Sequence, residues 1–186
     1  MGRRQKRLEL LIELVPSARL IAFLINPTNS AFPRTVADLS PGVQAVAQAK
    51  GVRFEIVTAS IETEFDDAFK RLVELKVDAL LIGADPTFYN HADQLGALAL
   101  RYSVPAIHDW RKFTDAGGLI SYGSDLPKIV RETGVCIGKI LNGSKPGELP
   151  VLQPTKFELV INDRTAKALG LTIPPAILAR ADEVIE

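Results

Sequence analysis

The chain has a single cysteine, Cys136, so no internal disulfide can hold it together. With only two histidines beside that thiol it lacks the ligands of a transition-metal site, and no metal is expected. Charge of one sign is missing too. The 22 basic and 22 acidic residues cancel, which leaves no field to displace counterions from a phosphate backbone, so nucleic acid is not an expected partner. No apolar run approaches the roughly 20 residues of a membrane span. Also absent are a G-x-G-x-x-G fingerprint, a Walker loop, a nucleophile elbow and an H-E-x-x-H pair. Gly123-Ser124-Asp125 fails as an elbow because Leu126 stands where the second glycine is needed. Cys136 falls mid-helix, away from any strand-end loop, and reads as an inert small residue. The acidic residues Glu62, Glu64, Asp66 and Asp67 gather at a helix start, where the macrodipole favours them. No catalytic residue and no cofactor are expected.

What is present suits a globular fold. The 186 residues are 47% hydrophobic, with no long polar tract, enough to bury a core against chain entropy. Arg3, Arg4, Lys6 and Arg7 ahead of an apolar run imitate an export signal. Glu9 and Glu13 interrupt that run, however, and no small-residue cleavage site precedes Pro16. Leu8, Leu11, Ile12 and Val15 share one face of a helix, so the segment reads as a short amphipathic helix ending at Pro16. Beyond it, apolar β-branched stretches at 19–25, 53–59, 79–83 and 105–107 alternate with helical patterns at 34–50, 64–76 and 90–102. Pro41 is expected to kink or split the first of these helices. A loop over 108–116, a short strand over 118–122 and a helix over 126–141 follow, the helix capped by Asp125 with Pro127 in its first turn. A proline-rich linker then leads to a strand at 157–161 and a helix at 164–169. The alternation predicts an α/β fold: three layers, a doubly wound, mostly parallel sheet, flavodoxin- or Rossmann-like.

In such sheets ligands collect beyond the carboxyl ends of the strands. The loops there are Asn26-Pro27-Thr28-Asn29-Ser30 and Asp85-Pro86-Thr87-Phe88-Tyr89-Asn90, whose amides and hydroxyls suit a small polar ligand or a carboxylate. Equally, Asn29, Ser30 and Asn90 serve as helix caps. His108-Asp109-Trp110 and Ser121-Tyr122 lie near two further strand ends. His108 reads as structural and Asp125 as a cap, whereas Trp110 either stacks on a flat ligand or covers the core.

Several stretches in order resemble the ABC-transporter substrate-binding proteins of the tryptophan/tyrosine-type family, whose fold is like that of type I periplasmic binding proteins. They are Pro105-Ala106-Ile107, Arg111-Lys112-Phe113, 116–123, Lys139-Ile140-Leu141-Asn142-Gly143, 153–162, 165–174 and 180–186. Lys6-Arg7-Leu8-Glu9-Leu10-Leu11 resembles the segment with which that family enters its second lobe. The resemblance implies a second-lobe domain over 1–117, a strand-helix segment over 118–142 that returns to a first lobe, a linker over 143–156, and a carboxyl-terminal strand and helix over 157–186. It implies a solute-binding component, without catalysis, that holds an amino acid or another carboxylate between two lobes and serves an ABC permease. Ligand contacts are then expected from Asn26, Thr28, Asn29, Ser30, Asp85, Thr87, Tyr89, Asp109, Trp110, Ser121 and Tyr122. The family implies the periplasm, whereas the chain taken as complete, with no signal, implies the cytoplasm. A lobe on its own would bare the 126–141 helix and so form a homodimer or exchange segments. A flavodoxin-like enzyme or cofactor carrier, and a remnant without a ligand, are the alternatives.

Overall fold

A computed structural model describes residues 2–31, 39–150 and 157–186. Helix α1 (Arg3–Leu14) precedes strand β1 (Leu20–Ile25), α2 (Pro41–Lys50), β2 (Arg53–Thr58), α3 (Phe65–Glu74) and β3 (Ala79–Ile82). Then come α4 (Pro86–Asn90), α5 (Ala92–Arg101), β4 (Ala106–His108), α6 (Arg111–Asp115), β5 (Ile120–Ser124) and α7 (Leu126–Leu141). The chain closes with β6 (Phe157–Asn162), α8 (Asp163–Ala168), α9 (Pro175–Leu178) and β7 (Glu183–Ile185). The strands form one sheet in the order β2-β1-β3-β4-β5-β6-β7, parallel except where β5 meets β6. The three-layer, mostly parallel α/β fold expected from the alternation is the one observed.

Side chains alternate across the sheet, so each strand feeds two cores. Ile21, Phe23 and Ile25 join Leu8 and Leu11 of α1, Val43 of α2 and Ile177 of α9 on one face. Ala22 and Leu24 join Phe65 and Phe69 of α3, Leu95 of α5 and Phe113 of α6 on the other. Strands covered on both faces need a near-continuous apolar run, which explains why β1 reads Leu-Ile-Ala-Phe-Leu-Ile.

Several boundaries differ from those the sequence suggested. Pro41 does not kink a helix; it opens α2, where its missing N–H has no role in the hydrogen-bond ladder. Of the longer 34–50 helix, residues 34–38 lie outside the described residues. The supposed polar loop at 85–90 contains α4, because Asp85 caps it and Pro86 pre-sets its first turn. The 108–116 loop likewise contains α6, and α9 and β7 follow α8 unannounced by any strong periodicity. Strand β5 does not leave for another lobe. It pairs with β4 on one edge and β6 on the other, so this sheet needs it. Helix α7 stands apart: Asp125 caps it through the Lys128 N–H at 2.9 Å, yet none of its residues is buried.

Candidate functional site

The strand order sets the carboxyl ends of β1, β3, β4 and β5 near one another along one edge of the sheet. The residues after those ends form the densest polar grouping described. Asp85 lies at its centre, 1% exposed, capping α4 by accepting from the Thr87 N–H at 2.9 Å. Its carboxylate also accepts from Asn26 Nδ2 at 3.1 Å and from Asn29 Nδ2 at 2.7 Å. Burial alone would raise the Asp85 pKa. The donors from Asn29, Asn26 and Thr87 more than offset this and hold it below the ordinary carboxylate value. Asn26 in turn uses its Oδ1 to take the Thr28 N–H at 3.0 Å and the Thr28 hydroxyl at 2.7 Å. Asn29 Oδ1 accepts from the Ala31 N–H at 3.0 Å. Loop β1–α2 is thereby tied to loop β3–α4 by one carboxylate. Ser30 is exposed beside this tie.

A second group adjoins it. The Tyr89 hydroxyl donates to Asp109 Oδ2 at 2.5 Å, and the Tyr89 ring meets His108 and Trp110 edge-on at 5.4 and 5.9 Å. Burial raises the Tyr89 pKa and the Asp109 charge raises it further, so the phenol stays protonated and can donate. His108 is fully buried and burial pushes its pKa down to about 4, so the ring is neutral at physiological pH. Its Nδ1 accepts from the Trp110 N–H at 3.2 Å. Arg7 reaches in from α1, 3% exposed, with Nη1 at 3.3 Å from the Ile82 carbonyl and 3.6 Å from Asp109 Oδ1. Arg7 Nε, His108 Nε2 and Asp109 Oδ1 have no hydrogen-bond partner among the described residues. His108 Nε2 and Arg7 Nη1 face Asp109 Oδ1 at 3.5 and 3.6 Å, so the three side chains form one buried polar group.

Trp110 connects this group to a cavity of about 370 Å³, lined also by Arg111, Lys112, Ser124, Asp125 and Glu158. Binding sites for small molecules begin at about 300 Å³. Ser124 Oγ, at the carboxyl end of β5, is buried there without a partner among the described residues.

Nine of the expected residues thus lie at this edge: Asn26, Thr28, Asn29, Ser30, Asp85, Thr87, Tyr89, Asp109 and Trp110. Ser121 and Tyr122 do not. Strand β5 runs on to Ser124, which leaves Ser121 within the sheet, 2% exposed and paired with His108, while Tyr122 packs on Phe157 at 5.7 Å. Sequence reasoning missed Ser124 and Arg7. Arg7 sits one turn before Leu11 on the buried face of α1, and a charge on that face was the available signal. Among the described residues no cluster could hold a metal ion, and no helix is long and apolar enough to cross a membrane.

A doubly wound sheet with a polar pocket at its carboxyl edge defines an α/β ligand-binding lobe. Residues 1–185 match the family of ABC transporter substrate binding proteins, and the chain belongs to it. It is 27% identical over 168 residues to a tyrosine-binding protein of Clostridioides difficile, covering 89% of this chain and 47% of that one. Among solved structures, a conserved domain protein of Vibrio cholerae shares 26% identity at a TM-score of 0.80, covering 97% of this chain and 60% of that one. The ABC domain of Streptococcus pneumonia in complex with L-Trp shares 26% at 0.80, covering 98% and 60%. These relatives are binding proteins or carry no stated activity. The chain spans about half the length of the curated relative it matches.

Proposed function

We propose that the chain is the ligand-holding lobe of a solute-binding component of an ABC uptake transporter and takes a small amino acid or carboxylate without transforming it. The observation that carries the reading is the edge itself. The Asp85 tie fixes two loops, the buried Arg7, His108 and Asp109 form a charged group under Tyr89, and Trp110 leads from that group to a cavity of amino-acid size. The L-Trp bound by the pneumococcal relative and the tyrosine named for the clostridial one support an aromatic amino acid. Trp110 and Tyr89 offer ring edges and faces for it, while Asp109 and Arg7 carry the charges that a zwitterion needs. Ser121 and Tyr122 then hold β5 within the sheet and do not touch the ligand.

A periplasmic location and a permease partner belong to the same reading. So does association of the 186-residue chain with a second copy, since α7 is bare. Thermal unfolding with a panel of amino acids tests the binding. A true ligand at a hundredfold excess over its dissociation constant adds about 2.7 kcal/mol. A flat melting temperature across aromatic, aliphatic and acidic members would refute it.

A further inference from the structure

Asp109 is met by donors from three elements. Arg7 of α1 sets Nη1 3.6 Å from its Oδ1, His108 of β4 sets Nε2 3.5 Å from the same oxygen, and the Tyr89 hydroxyl of α4 donates to Oδ2. His108 Nδ1 accepts from the Trp110 N–H, so the neutral ring carries its proton on Nε2, toward Asp109. Of these three donors only Arg7 is charged. A carboxylate whose side chain is 14% exposed depends on that charge, because burying it unpaired is costly.

The aromatic side of the site depends on the same carboxylate. Tyr89, held by Asp109, meets the Trp110 ring edge-on at 5.9 Å, and Trp110 lines the cavity of about 370 Å³. The Asp109 backbone is held close against Gly123 of β5, its carbonyl standing where a Cβ of residue 123 would be. Its side chain is therefore the part that responds. Without the Arg7 charge the carboxylate turns toward solvent and leaves the Tyr89 hydroxyl without an acceptor. Arg7 itself is 3% exposed, with Nη1 engaged between Asp109 and the Ile82 carbonyl, so its charge reaches the site through Asp109.

We propose that Arg7 is a positioning residue of the ligand site: from α1, and without touching the ligand, it fixes through Asp109 and Tyr89 the aromatic wall that Trp110 presents to the cavity. The inference rests on the amino-acid reading above and gives a helix that lies over the face of the sheet a part in it. Trp110 is the only tryptophan of the chain, so its fluorescence reports on that wall without a label.

Calorimetric titration of the 186-residue chain with L-tyrosine and with L-tryptophan, together with the Trp110 emission of the ligand-free chain, is the test. The wild type should bind at least one of the two. Arg7→Gln should weaken that binding by about tenfold or more and shift the Trp110 emission to the red, and Arg7→Lys should recover most of both. In a Tyr89→Phe background Arg7→Gln should add little further loss, because the link through which it acts is already cut; a merely structural arginine would add its full loss. Tyr89→Phe alone should also shift the emission, which keeps the relay testable where Arg7→Gln does not fold. A wild type that binds neither amino acid overturns the amino-acid reading and the positioning role with it. A wild type that binds, with Arg7→Gln within about twofold of it and the emission unmoved, or with the emission unmoved in Tyr89→Phe, overturns the role of Arg7 alone.

Discussion

Asp85→Ala removes the carboxylate that ties the β1 and β3 loops together, and two losses then add at pH 7. The cap of α4 is worth about 1 kcal/mol. Asn26, 6% exposed, keeps for its Nδ2 only the contact to Thr87 Oγ1 at 3.4 Å, and a buried donor so weakly matched costs about 1–3 kcal/mol. The expected deficit is about 2–4 kcal/mol, read as a lower urea midpoint at an unchanged slope. Acid should narrow it. The folded pKa of Asp85 lies below the unfolded value of about 3.9, so its stabilisation is complete above that pH and is lost as pH falls through the folded pKa. Urea titrations followed by circular dichroism at pH 7 and near pH 2.5 would measure both. A deficit under about 0.5 kcal/mol at neutral pH, or one undiminished in acid, would refute the reasoning.

His108 should impose its own pH dependence. Its folded pKa, pushed down to about 4, lies below the unfolded value near 6.5, so the unfolded chain takes up a proton that the folded chain refuses. Stability from this residue is full above about pH 6.5 and declines by about 3 kcal/mol down to pH 4; His108→Gln should abolish that slope, and parallel stability curves would count against it. Gly123→Ala should be among the costliest small changes, because the Asp109 backbone carbonyl occupies the place of the added Cβ and cannot swing aside. About 3 kcal/mol or more, a drop of roughly 6–12 °C in Tm, is expected, and a melt within about 2 °C of wild type would contradict the close approach of β5 to the Asp109 turn.

The elements that could be read in advance were those whose signals are local. β1 and β3 are continuous apolar runs, and α7 has its cap, first-turn proline and stripe in one stretch. The short helices α4, α6 and α9 escaped, since four or five residues cannot display a period. The error at β5 had a different origin. Family resemblance sent the strand toward another lobe, while two rows of backbone hydrogen bonds hold it in this one. Reading the strand as ending at residue 122 was a separate matter of a short apolar run, and it put Ser121 and Tyr122 at an end that Ser124 occupies.

The sequence by itself determined the α/β class, the two-faced burial of the strands and the polar loops that follow them, because hydrophobic period and turn chemistry are properties of neighbouring residues. Only the tertiary structure decided which polar residues meet. Asn26 and Asp85 are 59 positions apart in the chain, and Arg7 and Ile82 are 75 apart. Their contacts follow from strand order, which places β1 beside β3 and lays α1 over β3 and β4. A carboxylate acquires its pKa and an arginine its buried partner from neighbours that no local pattern names.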